Sequence, residues 1–476
     1  MAEARFQYLT DADKQALHEQ TVTVLEKVGV AFNLPAAIDL LAEAGAQVDR
    51  AKLTARIPRE LIEAALKTAP RRVLLAARDP ACDVVLGEGY VSVCSDGTAT
   101  YMVDDLTGER RPGSAADLHR VMRLLDALPE ADYVWPSISA RDLDPVTANL
   151  EIEYISLSEC AKHLQDEVRG PEFVAPLVAM LEAVAGASLK ERPIFSAINC
   201  TVAPLQHDPA MTEASMELAK KGVPIFVMPM PMIGTTGPAS VMGTCVITMA
   251  EILSAVVLLQ LAAPGCAVVA APEPAVADMR SGLYVCGAPE ETLMNLACLE
   301  MAVFYGLPCQ AGGLGGDGRY PDYQAGSEGG TAILAALAGA DSLVGFGGLD
   351  GATCYSLAEA VLDNDATGAM RRLLGVHAVD EQTSLIDEIL AVGIGGHYLG
   401  RRSTRELGRS GLLWEPGIFR RGRPVGEPAQ LVREAAARAD EILASHVPAP
   451  LAEDVARYAE QVIADFAAGA SRRPPA

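Results

Sequence analysis

The segment 313–328, GLGGDGRYPDYQAGSE, carries the densest set of residues that could do chemistry. Among its glycines it holds carboxylates, an arginine, an amide and two tyrosines, namely Asp317, Arg319, Tyr320, Asp322, Tyr323, Gln324 and Glu328. Glycines let a backbone approach a ligand closely. Acidic and aromatic side chains together suit an ammonium ligand, because charge and the π faces of rings both attract a cation. The segment predicts a site for a small organic cation; the alternative is a surface loop with solvated charges.

Other reactive patterns are missing from the sequence. The seven histidines form no HxH, HExxH or His-x-Cys pair, so no metal site is expected. His207 and His397 lie in loops and are the two that could line a pocket. No GxSxG nucleophile motif occurs. The glycine-rich run 312–318 lacks the lysine of a phosphate-binding loop. Zinc-dependent activation of a thiol and serine hydrolase chemistry are therefore not indicated.

The charge of the chain limits its partners. The formal net charge is -24 at pH 7, and so acidic a surface repels nucleic acid and anionic membranes. The ten cysteines form no CxxC pair and lie mostly in apolar runs. Together with the lack of a signal-peptide pattern, this predicts a cytoplasmic protein. The longest apolar stretch, 246–263, contains Glu251 and Gln260, so a membrane span is not expected.

The elements that must position a site alternate between strands and helices. Eight short, mostly apolar runs read as strands: 90–95, 131–139, 161–167, 192–200, 223–230, 266–272, 307–313 and 341–348, of which 161–167 (AKHLQDE) is polar. Helical patterns follow most of them, at 115–128, 171–186, 208–222, 240–265, 289–306 and 326–340. Eight such units predict an α/β TIM (β/α)8 barrel. A doubly wound open sheet is the alternative, but no nucleotide-binding glycine motif follows the first strand.

The flanking sections differ from this alternation. Residues 1–88 predict three helices and a small hairpin, residues 89–400 the barrel, and residues 401–476 a C-terminal helical extension. In a barrel the active site lies where strands end at their carboxyl side. The polar or sulfur-bearing residues at those ends are Asp96, Ser137, Ser139, Asp166, Glu167, Asn199, Met230, Met232 and Glu273.

Four segments, together with the opening helices, carry a resemblance to a known family. They are 233–265, 279–290, 320–351 and 409–422, and they include the patterns AE-L…LQL-x-x-PG and PD-x-QAG-x-E…LAGA. With them the chain resembles the trimethylamine methyltransferase superfamily of corrinoid-dependent methyltransferases, which includes the glycine betaine methyltransferases. The resemblance covers nearly the whole chain.

The resemblance implies a TIM barrel that moves a methyl group from a small methylated amine to Co(I) of a partner corrinoid protein, as in methanogenesis. The corrinoid (cobalamin type) is expected on the partner, since the chain has no DxHxxG motif and needs no metal of its own. Trimethylamine-specific members carry pyrrolysine. None is written here, so the chain is more similar to members without it, some of which demethylate quaternary amines such as glycine betaine.

One departure concerns the stretch RRSTREL, where relatives often have a His-Thr pair and this chain has Ser403 and Thr404. The difference leaves the substrate open more than the reaction. Two other functions also stay open: methyl transfer to a pterin such as tetrahydrofolate, and a non-catalytic barrel that binds a quaternary amine. The sequence does not decide whether the chain forms a homo-oligomer.

A quaternary amine with a carboxylate would need aromatic faces, acidic charge and hydrogen-bond donors, and eight residues are candidates for binding it. They are Tyr320, Phe346 and Tyr355; Asp317 and Glu328; and Asn199, Arg319 and His397. At least two are expected to line the central pocket. Each also has a structural interpretation: Phe346 in the core, Arg319 in a surface ion pair, Glu328 as a charge at a helix start. No covalent nucleophile is required, because Co(I) attacks an amine that is already activated.

Overall fold

Eight parallel strands form the centre of the protein in the computed structural model, which describes residues 5–375, 378–407, 409, 413–419 and 430–470. Each strand overlaps one of the eight runs expected from the sequence, so those strand predictions are confirmed. In chain order the strands are β1 (Ser92–Ser95), β2 (Tyr133–Val134), β3 (His163–Glu167), β4 (Phe195–Val202), β5 (Ile225–Met228), β6 (Val268–Ala270), β7 (Gln310–Ala311) and β8 (Ser342–Phe346).

The strands pair in the order in which they occur along the chain. Parallel ladders join β1 with β2, β2 with β3, β3 with β4, β4 with β5 and β5 with β6. Further parallel ladders join β7 with β8 and β8 with β1. Between β6 and β7 one isolated parallel bridge connects Ala270 with Cys309. A doubly wound sheet reverses its strand order partway through. The described strands of this α/β fold show no such reversal.

Helices alternate with the strands and pack against one side of them. Three precede β1: α1 (Asp11–Lys27), α2 (Pro35–Glu43) and α3 (Arg59–Thr68). Those that follow the successive strands are α4 (Ala115–Ala127), α5 (Ala148–Glu159), α6 (Val174–Ala185), α7 (Pro209–Lys220), α8 (Val241–Ala262), α9 (Pro289–Phe304), α10 (Tyr323–Gly329) with α11 (Ala332–Ala338), and α12 (Leu357–Leu374). The last are α13 (Glu381–Ser384), α14 (Ile386–Val392), α15 (Arg402–Leu407), α16 (Gln430–Ser445) and α17 (Glu453–Ala470).

Short strands outside the parallel set make small ladders in the connections. They are Val30–Ala31, Gln47–Asp49, Thr54–Arg56, Val73–Leu75, Val84–Leu86, Tyr101–Val103, Arg110–Pro112, Gln206–His207, Met232–Ile233, Ala275–Ala277, Tyr284–Val285, Gly348–Leu349 and Cys354–Tyr355. Two 3-10 turns, Pro80–Cys82 and Pro171–Phe173, complete the regular elements in the described part of the chain.

The hairpin of Val73–Leu75 and Val84–Leu86, which was expected from the sequence, covers the amino ends of the strands. Its apolar side chains form a second core cluster with the strand residues Tyr133, Phe226 and Val344. Those strand residues alternate with others that face the helices, as the pleat of a strand requires. The hairpin therefore fills one end of the strand assembly and leaves the carboxyl ends for a site.

Helix α8 is the longest helix in the described part of the chain. Ser240 begins it by accepting a hydrogen bond from the backbone N–H of Gly243. By length and composition alone it could cross a membrane, yet 83% of its most apolar window is buried inside the protein. It packs against α1, α3 and α9. Such burial is that of a core helix, which a hydropathy pattern cannot distinguish from a membrane span.

Asp341 connects the hairpin with the strands through hydrogen bonds. Replacing it tests how much these hydrogen bonds stabilise the protein. Its buried carboxylate accepts hydrogen bonds from both Nη atoms of Arg71, at 2.5 and 2.9 Å, and from the backbone N–H groups of Gly87 and Cys309. We expect Asp341→Asn to lower the free energy of unfolding by about 3 kcal/mol, because buried donors lose a charged acceptor.

Urea denaturation followed by circular dichroism would measure this change. Asp39→Asn is the matched control, since Asp39 pairs with Arg50 at an exposed position and should change stability by less than about 1 kcal/mol. Equal effects of the two substitutions would show that the Asp341 contacts do not hold the hairpin in place.

Candidate active site

A cavity of about 270 Å³ lies at the carboxyl ends of the strands. Every one of the eight strands, or the residues directly after it, contributes to its wall, as a site at this end of an α/β fold requires. The wall combines carboxyl groups, aromatic rings, sulfur atoms and glycines. Its residues are Asp96, Gly97, Thr98, Trp135, Glu167, Cys200, Met228, Met230, Glu273, Tyr284, Cys286, Gly312, Gly313, Gly315, Val344, Gly345 and Ala352.

Asp96 is the first residue after β1. Its Oδ1 accepts a hydrogen bond of 2.9 Å from the backbone N–H of Gly97. Burial raises the pKa of the carboxyl to about 7, although the Gly97 hydrogen bond acts in the opposite direction. The backbone of Gly348 lies against Oδ2, and a Cβ at that position would stand 1.8 Å from it. Asp96 is therefore tightly enclosed and changes its charge near neutral pH.

Glu273 follows β6 and is the acid with the fewest partners in the cavity. Its backbone N–H donates to the carbonyl of Pro229, which fixes the chain, but its buried Oε1 has no hydrogen-bond partner. Burial raises its pKa well above the ordinary value, and the charges of Glu291 and Asp96 add to the effect. Gly312 packs against the carboxyl, where a Cβ would lie 2.4 Å from Oε2. An unpaired buried oxygen of this kind suits a ligand that brings a positive charge.

The thiols in the wall stay protonated. Burial raises the pKa of Cys200 well above its usual value, and so does the nearby Glu167 carboxylate, to which the Cys200 thiol donates at 3.4 Å. The pKa of Cys286 is likewise raised by burial and then by Glu291. A thiol attacks only as its thiolate. The two cysteines therefore contribute soft, neutral contacts rather than a nucleophile.

Two aromatic residues complete the wall. The indole N–H of Trp135 donates to Oδ1 of Asp166 at 2.9 Å, which holds the ring in place. Gly97 lies against that ring, with space too small for a Cβ. Burial raises the pKa of Tyr284 well above its usual value, so its hydroxyl keeps its proton. Aromatic faces beside carboxylates form the environment that binds an organic cation.

Some of the residues that the sequence places at the carboxyl ends of the strands form part of this wall. Asp96, Glu167, Met230 and Glu273 all line the cavity. Asp166 lies one layer behind as the partner of Trp135, and Ser137 donates to the carbonyl of Trp135. Trp135, Tyr284 and the two cysteines were not singled out, although Trp135 and Cys200 stand in runs that were identified as strands.

None of the eight candidate substrate-binding residues lines the cavity, so the prediction that at least two would do so is wrong. Asn199 donates to Ser215 of α7 at 2.9 Å, and Phe346 and Tyr355 are fully buried in the core shared with the helices. Asn199 falls on the opposite face of β4 from the wall residue Cys200, because side chains point to opposite faces at successive positions. Phe346 lies two positions after the wall residue Val344, but the register of β8 shifts between Leu343 and Phe346, and Phe346 packs in the core with the helices.

The glycine-rich segment 313–328 stands beside the cavity instead of forming most of its wall. Asp317 accepts a hydrogen bond from the backbone N–H of Cys286 at 2.9 Å, and Glu328 accepts one from Gly318 at 3.0 Å. Arg319 is mainly exposed and pairs with Asp350. This is the surface ion pair that was the structural interpretation of Arg319, as opposed to binding of the substrate. Tyr320 is half exposed at 48%. These charges position the loop around the cavity.

His397 lies in the exposed segment between α14 and α15 and is not part of the wall. Ser403, at the position where relatives often have histidine, donates to Glu388 at 2.5 Å. His207 is buried and stacks on Phe32 with ring centroids 4.7 Å apart. Of segment 409–422, which carries part of the family resemblance, residues 410–412 and 420–422 lie outside the described residues. Among the described residues no group of three or more His, Cys, Asp or Glu is arranged to hold a metal ion.

Comparisons with known proteins agree over almost the full length. The family described as trimethylamine methyltransferase (MTTB) matches residues 2–467. Trimethylamine methyltransferase of Desulfitobacterium hafniense strain DSM 10664 / DCB-2 is 30% identical over 95% of this chain and 92% of its own. Glycine betaine methyltransferase of D. hafniense strain Y51 is 28% identical, covering 95% of each chain. Trimethylamine methyltransferase of Methanosarcina barkeri is 29% identical over 95% of this chain and 94% of its own.

Proposed function

The chain belongs to the trimethylamine methyltransferase family, and from this premise we propose that it transfers a methyl group from a quaternary ammonium compound to Co(I) of a partner corrinoid protein. The observation that carries the proposal is the composition of the cavity. Asp96, Glu167 and Glu273 supply carboxyl groups, and Trp135 and Tyr284 supply aromatic faces. A bound cation favours the ionised form of Asp96 and Glu273, whose pKa values burial raises. A cation held there replaces its lost hydration with carboxylate and π contacts.

We propose further that the eight parallel strands close into a (β/α)8 barrel. Gln310 of β7 donates to the side chain of Gln165 in β3 at 3.1 Å. These strands are four positions apart in the pairing order β7-β8-β1-β2-β3, a separation of about 19 Å across a flat sheet. Direct contact between their side chains requires strong curvature. The bridge from Ala270 to Cys309 then joins the remaining edges.

The proposed reaction breaks one C–N bond of the substrate. The electron pair of that bond remains on nitrogen, which leaves as a neutral tertiary amine, and no proton is needed for its departure. The corrinoid of the partner protein supplies the two electrons that form the new bond to the methyl carbon. This chain supplies geometry: effective positioning of two reactants can contribute about 7–11 kcal/mol in the best cases.

The residues of the cavity suit that task. The protonated thiols of Cys200 and Cys286 and the hydroxyl of Tyr284 offer no competing nucleophile for the methyl group. Exposed apolar side chains lie near the mouth: Met230 at the cavity, and Met279 and Leu283 in the connection that leads to Tyr284. Apolar side chains at a rim are suited to contact with a macrocycle or its carrier protein.

Three further points of the proposal rest on the same family. The partner is expected to dock at the carboxyl ends of the strands, where the cavity opens. The protein is expected to work in the cytoplasm. The division into residues 1–88, 89–400 and 401–476 remains a proposal, and helices α1 to α3 of the first section pack directly on α8 of the second.

The deciding experiment follows the visible spectrum of a reduced Co(I) corrinoid protein mixed with the enzyme. We expect the Co(I) absorbance to disappear when one quaternary amine from a panel of choline, glycine betaine, proline betaine, carnitine and tetramethylammonium is added, and a tertiary amine to form in equal amount. Trp135→Ala should slow this reaction at least about 10-fold, since a cation–π contact and a cavity wall are lost. Glu217→Gln, at an exposed position of α7, should not change it.

The other outcomes separate the remaining hypotheses. Methyl transfer to tetrahydrofolate without any corrinoid would replace the proposal with a pterin-dependent enzyme. Binding of an amine with no transfer to the corrinoid protein, while a related methyltransferase works in the same mixture, would favour a non-catalytic binding protein.

A further inference from the structure

The cavity lacks a partner for a negatively charged substrate group. Among its described wall residues there are three carboxyl groups and no lysine, arginine or histidine. Two guanidinium groups of neighbouring loops are already engaged, because Arg110 and Arg319 both pair with Asp350, two residues before the wall residue Ala352. A carboxylate on the substrate would therefore be buried among carboxyl groups, with no cationic side chain in the described wall to pair with it.

Uncharged polar groups, in contrast, have partners in the wall. The Oγ1 atom of Thr98 is buried without a hydrogen-bond partner, as is Oε1 of Glu273. Both residues line the cavity, and so does Tyr284, whose hydroxyl can donate and accept. A ligand hydroxyl would satisfy such atoms, and unsatisfied buried polar atoms in a pocket indicate where a ligand bonds.

Resting on the proposed function, we infer that the substrate is a quaternary ammonium compound whose fourth substituent is uncharged, such as a hydroxyalkyl group, and that zwitterionic betaines are rejected. Selection of this kind comes from repulsion as much as from attraction. The ammonium lies against Asp96, Glu167 and Glu273, and its charge favours the ionised form of Asp96 and Glu273. The resulting carboxylates oppose a substrate carboxylate placed a few ångströms away.

Choline and glycine betaine make a matched pair of probes, because both carry a trimethylammonium group on a two-carbon substituent and differ in the charge of its end. Isothermal titration calorimetry on the full chain at pH 8 would measure both dissociation constants. We expect choline to bind at least about 30-fold more tightly than glycine betaine. Glu167→Gln should reduce this ratio to below about 10-fold, since one repelling charge is removed, and Glu217→Gln should leave it unchanged.

Equal or tighter binding of glycine betaine would overturn the inference, and so would the absence of binding by both probes. The corrinoid assay separates this failure from that of the proposed function. Faster methyl transfer from glycine betaine than from choline would leave the methyltransferase standing and overturn the substrate class. Selective binding of choline without methyl transfer to the corrinoid protein would support the substrate class and overturn the proposed methyl transfer.

Discussion

Replacing Glu273 with glutamine is expected to raise the KM for the quaternary ammonium substrate by about 100-fold while lowering kcat by less than about 10-fold. The carboxyl has an unpaired buried oxygen in the cavity wall. Removing one member of a buried charge pair costs about 3 kcal/mol. The substitution keeps the size of the side chain and the fit against Gly312, so the loss concerns charge.

The division between KM and kcat follows from where charge lies during the reaction. The substrate nitrogen is positive at the start and becomes neutral as the C–N bond breaks. An ion pair with Glu273 is therefore strongest before the transition state, and its removal weakens binding more than it slows the chemical step.

Steady-state kinetics with the corrinoid partner in excess would measure both constants. Glu290→Gln, an exposed change in the first turn of α9, is the control for general effects of losing a glutamate. A fall in kcat of about 100-fold with an unchanged KM would contradict the expectation. It would mean that the carboxyl acts on the departing amine as a proton donor rather than holding the cation.

Affinity for the quaternary ammonium is expected to rise with pH, by about 10-fold per pH unit below pH 7 for each proton displaced. A quaternary nitrogen carries no proton, so any pH dependence of its binding belongs to the protein. Burial raises the pKa of Asp96 to about 7. Below that pH the carboxyl is neutral and the cation must displace its proton; above it the carboxylate is already formed.

Asp96→Asn should remove the part of the rise near pH 7 and leave the contribution of Glu273, whose pKa burial raises well above its ordinary value. Asp363 also interacts electrostatically with Asp96, and burial raises the pKa of Asp363 to about 7. The change of affinity with pH in the wild type is therefore broad. Calorimetry between pH 5.5 and 8.5 at constant ionic strength, in buffers of different ionisation enthalpy, would count the protons released. A flat profile with no proton release would show that the cation does not bind beside Asp96.

Most of the strands were predictable because strands buried on both faces are almost continuously apolar and short, whereas β3 (His163–Glu167) is polar in sequence although four of its five residues are buried. Helix α5 was not predicted, and its burial explains why. Asn149, Glu153 and Ser156 are buried polar residues on it, so polar side chains occupy positions that an amphipathic pattern reserves for apolar ones. The helix expected at 326–340 is divided into α10 and α11 around Gly330 and Thr331.

The cavity could be predicted to the level of strand ends but not of individual side chains. A shift of one residue along a strand exchanges the inner and outer faces, and this separates Asn199 from Cys200. The loop 313–328 drew attention through its composition, yet most of its charges are used internally, as in the contact of Glu328 with Gly318. Tyr284 lies in the connection between β6 and α9. No periodicity in the sequence of this connection predicts that Tyr284 lines the cavity.

The burial of α8 has a consequence for how the chain is made. Helices α1 and α3, which cover part of its surface, leave the ribosome before it, whereas α9 emerges after it. When α8 is synthesised, α1 and α3 are therefore already present to cover part of its apolar surface. Only the part that α9 covers stays exposed until α9 is made. A shortened protein that begins after α3 would expose that surface, and its failure would be aggregation during synthesis rather than the loss of a ligand.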